Sequence, residues 1–400
     1  MALRLVLLWI SLTVAIDAAL YFGMRALPPG IYLHTELVSL VALLAAPTAQ
    51  GLALRLVRLT WARDWFVAVL GGLVFSSAVA NLLRSPVAQL NVPLSMVVLM
   101  VVPEAMVAAL QWYVLRAHVR RAARWWAVAG LATVTTLTLR WCLTHSFFPT
   151  VLPHNPALRL AIPAAAALVQ AIGLAWILID WRADDRALRS RPVWFVIEWT
   201  TGAGIAVLTI FAAASLLAKG IGGPRPAMYL QYFGLPALTG LIIGATQWWL
   251  LRDRLPIGLS WIVASMAAMA VPAAGILEPS LGGYVGYFWL IAMTTPWAFA
   301  IVGAWVGLAQ WLVLRRHVSG ALLWVPASAL GWCAWMLRQP NTGLASLTIG
   351  VAAGLVTGIV MAFLLRRPRS MPARAAQPES SRWGTDRSTG EAFARRAGDV

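Results

Sequence analysis

The chain has 400 residues and a mass of 43.3 kDa, with 60% apolar but only 11% charged residues. Soluble domains carry about 25% charged residues, so this composition excludes a water-covered globule. It equally excludes a disordered chain, a coiled coil and a disulfide scaffold. A net charge of +17 would suit nucleic acid, but there is no zinc-finger spacing and no basic platform interleaved with aromatics, so nucleic acid is not an expected partner.

In chain order, twelve apolar segments reach the ~20 residues that cross a ~30 Å hydrocarbon core. They run over 5–23, 36–56, 65–83, 94–115, 125–145, 159–180, 194–216, 228–250, 257–277, 287–314, 321–338 and 344–365. The first resembles a signal peptide, yet Asp17 interrupts it where a small-x-small cleavage site would be needed, so it reads as an uncleaved span. The expected fold is an all-α integral membrane domain over 1–365, with the lipid bilayer as its surroundings. Residues 366–400 are rich in Pro, Ser, Arg and Ala and lack any apolar period. They read as a disordered basic tail and as the place where a protein partner would bind.

Orientation follows from the basic residues, all arginine except Lys219. With the N-terminus inside, 24 of them fall on the cytoplasmic side and 7 outside. Basic residues accumulate in cytoplasmic loops, so both termini are expected in the cytoplasm and the protein in the plasma (inner) membrane.

The most specific motif is a helix end that recurs. The eighth segment holds GLIIGATQWWLLR from Gly240 to Arg252, the tenth GAWVGLAQWLVLR from Gly303 to Arg315, and the twelfth GLVTGIVMAFLLR from Gly354 to Arg366. All three share Gly-x3-Gly-x2-[Gln/Met]-x4-Arg. The fourth segment fits with Glu104 and Ala108 in place of the glycines, then Gln111 and Arg116. The second keeps Gln50 and Arg55, and the sixth keeps Gln170. Nine residues past the arginine a tryptophan recurs at Trp125, Trp261 and Trp324, and two copies continue alike to Ser265 and Ser328. The marker positions recur about every sixty residues, which predicts about six helical hairpins used as direct repeats.

Positions i, i+4 and i+7 share one helix face. Small residues there let two backbones approach inside lipid, and a glutamine can hydrogen-bond across the contact. The arginine reaches the cytoplasmic headgroups, with Trp112, Trp248, Trp249 and Trp311 in the interfacial belt. Gln50, Gln111, Gln170, Gln247 and Gln310 are therefore candidates for a polar ring near the inner face. With QWYVLR, QWWLLR and QWLVLR, the chain resembles uncharacterised bacterial multi-pass membrane proteins in which such hairpins recur. The resemblance covers most of the membrane region in degenerate form. It implies a repeat-built helical membrane protein and attaches no activity.

Ionisable residues inside spans are costly and hence candidates for function. Glu104 lies near mid-span, after Pro103, and takes a glycine position, so its carboxylate is expected in a helix contact. Asp17 and Arg140 lie in outer portions of their spans and could pair. Glu198 lies in the inner third of the seventh. Cys142 and Cys333 stand alone, the five histidines are scattered, and no nucleophile elbow or phosphate loop occurs. No catalytic residue, metal or cofactor is therefore expected. The leading expectation is a non-catalytic membrane protein with a scaffold or partner-binding role. The alternatives are a proton- or cation-coupled transporter using Glu104, and a membrane-embedded enzyme on a lipid-linked substrate.

Overall fold

The computed structural model describes residues 2–26, 35–57, 59–87, 92–119, 121–141, 156–178, 191–220, 234–274, 296–337 and 345–366. Among them there are twelve α-helices and no strand. The first six are α1 (Ala2–Ala26), α2 (Thr35–Leu56), α3 (Ala62–Val87), α4 (Val92–His118), α5 (Arg124–Trp141) and α6 (Pro156–Ile177). The second six are α7 (Pro192–Gly220), α8 (Leu235–Leu251), α9 (Ser260–Ala274), α10 (Pro296–Leu314), α11 (Trp324–Cys333) and α12 (Ala345–Leu364). Each overlaps one predicted segment. The tail beyond Arg366 lies outside the described residues.

The boundaries have local causes. Proline has no N–H to lose in a first turn and holds φ ready for a helix. Pro156, Pro192 and Pro296 open α6, α7 and α10. The segment predicted from 321 begins instead as a 3-10 turn, Ala321–Leu323, after Gly320 at φ 75°, a conformation that favours glycine. By length and apolar character, four stretches can cross a bilayer: Leu3–Leu20, Ala62–Leu83, Pro192–Ala214 and Ser346–Leu364. They mark a helical membrane protein.

Within the stretch 1–365, the described helices form two closed rings. In the first, α1 to α6 each pack on the next and α6 returns to α1. In the second, α7 to α12 do the same and α12 returns to α7. The rings meet where α7 packs on α2 and α3, and α12 packs on α3.

Glycines set the closest approaches. A Cβ on Gly240 would stand 2.5 Å from the Ser265 carbonyl oxygen, and one on Gly303 would stand 2.7 Å from that of Ser328. Gly244 and Gly307 face the same two serines one turn on. In α12 the matching glycines face α7: a Cβ on Gly354 would stand 2.8 Å from the Thr200 Cα. Contacts this short exist only because no side chain intervenes.

Each ring is sealed at its arginine-bearing end by tryptophans. In the N-terminal ring Trp65 meets Trp9 edge-on at 6.0 Å between ring centroids and Trp125 at 5.2 Å. In the C-terminal ring Trp324 meets Trp199 at 5.8 Å and Trp261 at 6.1 Å. All six are fully buried. Leu251, Leu314 and Leu364, from the ends of α8, α10 and α12, pack around the second group.

Candidate functional site

The tryptophans are held by the residues that the recurring motif singles out. Trp125 Nε1 donates to Gln111 Oε1 at 3.2 Å, Trp261 Nε1 to Gln247 Oε1 at 3.2 Å, and Trp324 Nε1 to Gln310 Oε1 at 2.7 Å. Each donor lies 14 residues past its acceptor, the five from glutamine to arginine and the nine from arginine to tryptophan. Trp65 Nε1 donates to Gln50 Oε1 at 3.1 Å across 15 residues. That extra residue hides Trp65 from the nine-residue spacing. The arginines stack back over the aromatic one turn earlier: Arg116 over Trp112, Arg252 over Trp248 and Arg315 over Trp311, at 5.0–5.5 Å. Such stacks hold the cation close to the ring face.

The last motif copy has Met361 where glutamine stands elsewhere. Thr357, one turn earlier, takes the role: Trp199 Nε1 donates to Thr357 Oγ1 at 2.9 Å. This bond spans 158 residues because α12 closes onto α7. Nothing in the sequence near Thr357 announces it.

The five glutamines do not make one ring but sort by helix ring. Gln50 Nε2 donates to Gln170 Oε1 at 3.4 Å in the first. Gln310 Nε2 donates to Gln247 Oε1 at 2.9 Å and to Ser265 Oγ at 2.8 Å in the second. Gln310 is 1% exposed, so its amide is spent within this network.

Beside the tryptophans, the C-terminal ring holds a partly open cavity of about 70 Å³. Gln247, Gln310, Thr246, Ser328 and Thr357 line it in part. Trp199 and Trp324 form its floor, and Trp332, Trp335, Ile243 and Val306 its apolar wall. Among the described residues no ionisable side chain lines it.

Glu104 is elsewhere. It is exposed on α4 and does not line the cavity. The glycine frame explains the difference. Glu104 and Ala108 replace the two glycines, so α4 lacks the flat face that brings α8 onto α9. Its close approach is to α3, where a Cβ on Gly72 would stand 2.6 Å from the Val107 Cα. Asp17 is half-buried on α1. The side chain of Arg140, which the sequence offers either as its partner or as part of an outer-side site with it, lies outside the described residues.

Glu198 is buried, at 5% exposure, and paired rather than snorkelling. Arg254 Nη2 donates to its Oε2 at 3.1 Å, and Arg63 Nη2 stands 3.7 Å from Oε1. Arg63 also stands 3.9 Å from Asp253. Burial pulls the Arg254 guanidinium below its usual pKa, and Glu198 opposes that shift. Arg63 belongs to the first ring, whereas Glu198, Asp253 and Arg254 belong to the second, so the cluster ties the two together. Both arginines lay in connectors where topology accounted for them, so the sequence did not single them out. Among the described residues no group of His, Cys, Asp and Glu is placed to hold a metal ion.

No family model, no curated protein and no solved structure matches this chain. The reading of function therefore stands on the geometry.

Proposed function

We propose that this is a non-catalytic, twelve-span protein of the bacterial inner membrane, with both termini cytoplasmic, whose C-terminal ring is a binding compartment for a small molecule. The single observation that carries the reading is the cavity of about 70 Å³ above the Trp199–Trp324 floor. A purely structural bundle has no need of such a void, here largely apolar with a few amides and hydroxyls, because packed interiors close such spaces. The floor is sealed by buried tryptophans, so the compartment suits a receptor or an occluded carrier better than an open channel. Six hairpin repeats account for the architecture: three hairpins per ring, with Gln50, Gln111, Gln247, Gln310 and Thr357 each accepting from the tryptophan of the next helix around the ring. The 24-to-7 distribution of basic residues supports the orientation. A cation path through Glu104 draws no support from its position outside the cavity.

The test is access. In a background with Cys142→Ser and Cys333→Ser, Ile243→Cys places a thiol on the cavity wall and Leu251→Cys places one in the sealed end. A small uncharged methanethiosulfonate is expected to modify the first in membranes and spare the second. Equal inertness of both thiols would remove the compartment.

A further inference from the structure

We infer that the cavity of the C-terminal ring takes a small uncharged molecule bearing both a hydrogen-bond acceptor and a donor, such as a primary amide, on a short apolar body. The inference rests on the compartment proposed above and names the chemistry that fits it.

Charge decides first. Among the described residues no ionisable side chain lines the cavity. An ion entering it would lose its hydration without gaining a counter-charge, a cost of several kcal/mol or more. The ligand is therefore uncharged.

Hydrogen-bonding capacity decides next. Gln247 accepts both of its bonds, from Trp261 and Gln310, on Oε1. Its Nε2 group is not spent in that network, and Gln247 lines the cavity. Ser328 is the counterpart of Ser265, four residues past its tryptophan. Ser265 receives a bond from Gln310. Ser328 would need one from the next motif copy, where Met361 stands and can donate nothing. The break in the repeat thus leaves the Ser328 hydroxyl at the cavity without the amide its counterpart has. Thr357 is already engaged, accepting from Trp199 and donating to the Ala353 carbonyl at 2.7 Å. Gln247 thus offers a guest an amide N–H pair and Ser328 offers it an oxygen that lacks its donor, so the guest supplies both an acceptor and an N–H or O–H donor.

Size and shape decide last. An apolar cavity of ~150 Å³ holds benzene. A cavity of about 70 Å³ holds roughly half as much, about three to five non-hydrogen atoms. Trp332, Trp335 and Val306 offer the apolar part of such a molecule a dry wall.

The experiment uses the full chain in lipid nanodiscs with three probes. Xenon reports an accessible void of any polarity. Acetamide has the predicted class and size, and acetate is its charged isostere. Saturation-transfer NMR on the methyl signals is expected to show saturable binding of acetamide and none of acetate. Ser328→Ala is expected to weaken acetamide about fivefold, the loss of one neutral hydrogen bond. Ala206→Leu, which fills the cavity from α7, is expected to abolish both acetamide and xenon binding. Because Ser328→Ala removes a single atom, it retains the fold even where the filling variant does not. Xenon bound without acetamide, acetate bound as well as acetamide, or Ser328→Ala without effect would each overturn the ligand class and leave the compartment standing. Exclusion of xenon and acetamide alike would remove the compartment itself.

Discussion

The tryptophan indoles are the residue-scale device of this protein. A buried N–H without a partner costs about 1–3 kcal/mol, and five of the six sealing tryptophans avoid that cost by donating to a glutamine or threonine. Trp9 is the exception: its Nε1 is buried with no hydrogen-bond partner. The contrast yields a clean comparison, because Trp→Phe removes the same volume at either place. Trp324→Phe orphans the Gln310 oxygen and is expected to cost about 1–2 kcal/mol more than Trp9→Phe, which discards an unsatisfied donor. Thermal or denaturant unfolding of the two variants in the same micelle measures the difference. Equal losses would mean that the Gln–Trp bonds add nothing beyond packing.

At the scale of elements, the glycine stripes decide which helices meet. A Cβ on Gly303 would stand 2.7 Å from the Ser328 carbonyl oxygen and from the Trp332 Cβ. Backbone cannot yield as a flexible side chain can, so Gly303→Ala forces α10 and α11 apart and is expected to destabilise by about 1–3 kcal/mol. Gly130 in α5 has nothing within 4 Å of an added Cβ. Gly130→Ala is therefore expected to be neutral or stabilising, by up to about 1 kcal/mol from helix propensity. Stability measured on this pair separates glycine as contact from glycine as mere composition. The stripes at Gly240 and Gly303 were legible in the sequence, because their partners follow directly after a short connector. So were three of the Gln–Trp spacings and the number and order of the helices. The face met by Gly354 was not, because its partner α7 lies far upstream and no local period records a ring closure. Glu104 marks the limit of such a frame: a frame position fixes a face only while the small residues that create the contact are kept.

At the scale of the whole molecule, two rings are joined by glycine contacts and one ionic cluster. A Cβ on Gly204 would stand 2.6 Å from Val74 Cγ1, so α7 lies tightly on α3. Beside this contact, Glu198 holds a guanidinium from each ring. Removing one member of a buried ionic group typically costs about 3–5 kcal/mol. Here Arg63 keeps 33% of its side chain in solvent, so Glu198→Ala is expected to cost about 2–3 kcal/mol. A double-mutant cycle with Arg63→Ala is expected to return a coupling of about 1 kcal/mol, read from unfolding in micelles. Additive losses would show that Arg63 is only a neighbour of the cluster and that the rings are joined by packing alone. The closure of each ring on its own first helix also sets an order of assembly. The N-terminal ring has all six helices once residue 177 has been made. The C-terminal ring has no such early point. The small-residue face of α7, at Ala203 and Gly204, waits for Gly350 and Gly354 on α12. A ribosome that stalls before residue 345 therefore releases one finished ring and five helices around an open seam, a surface that membrane quality control can recognise.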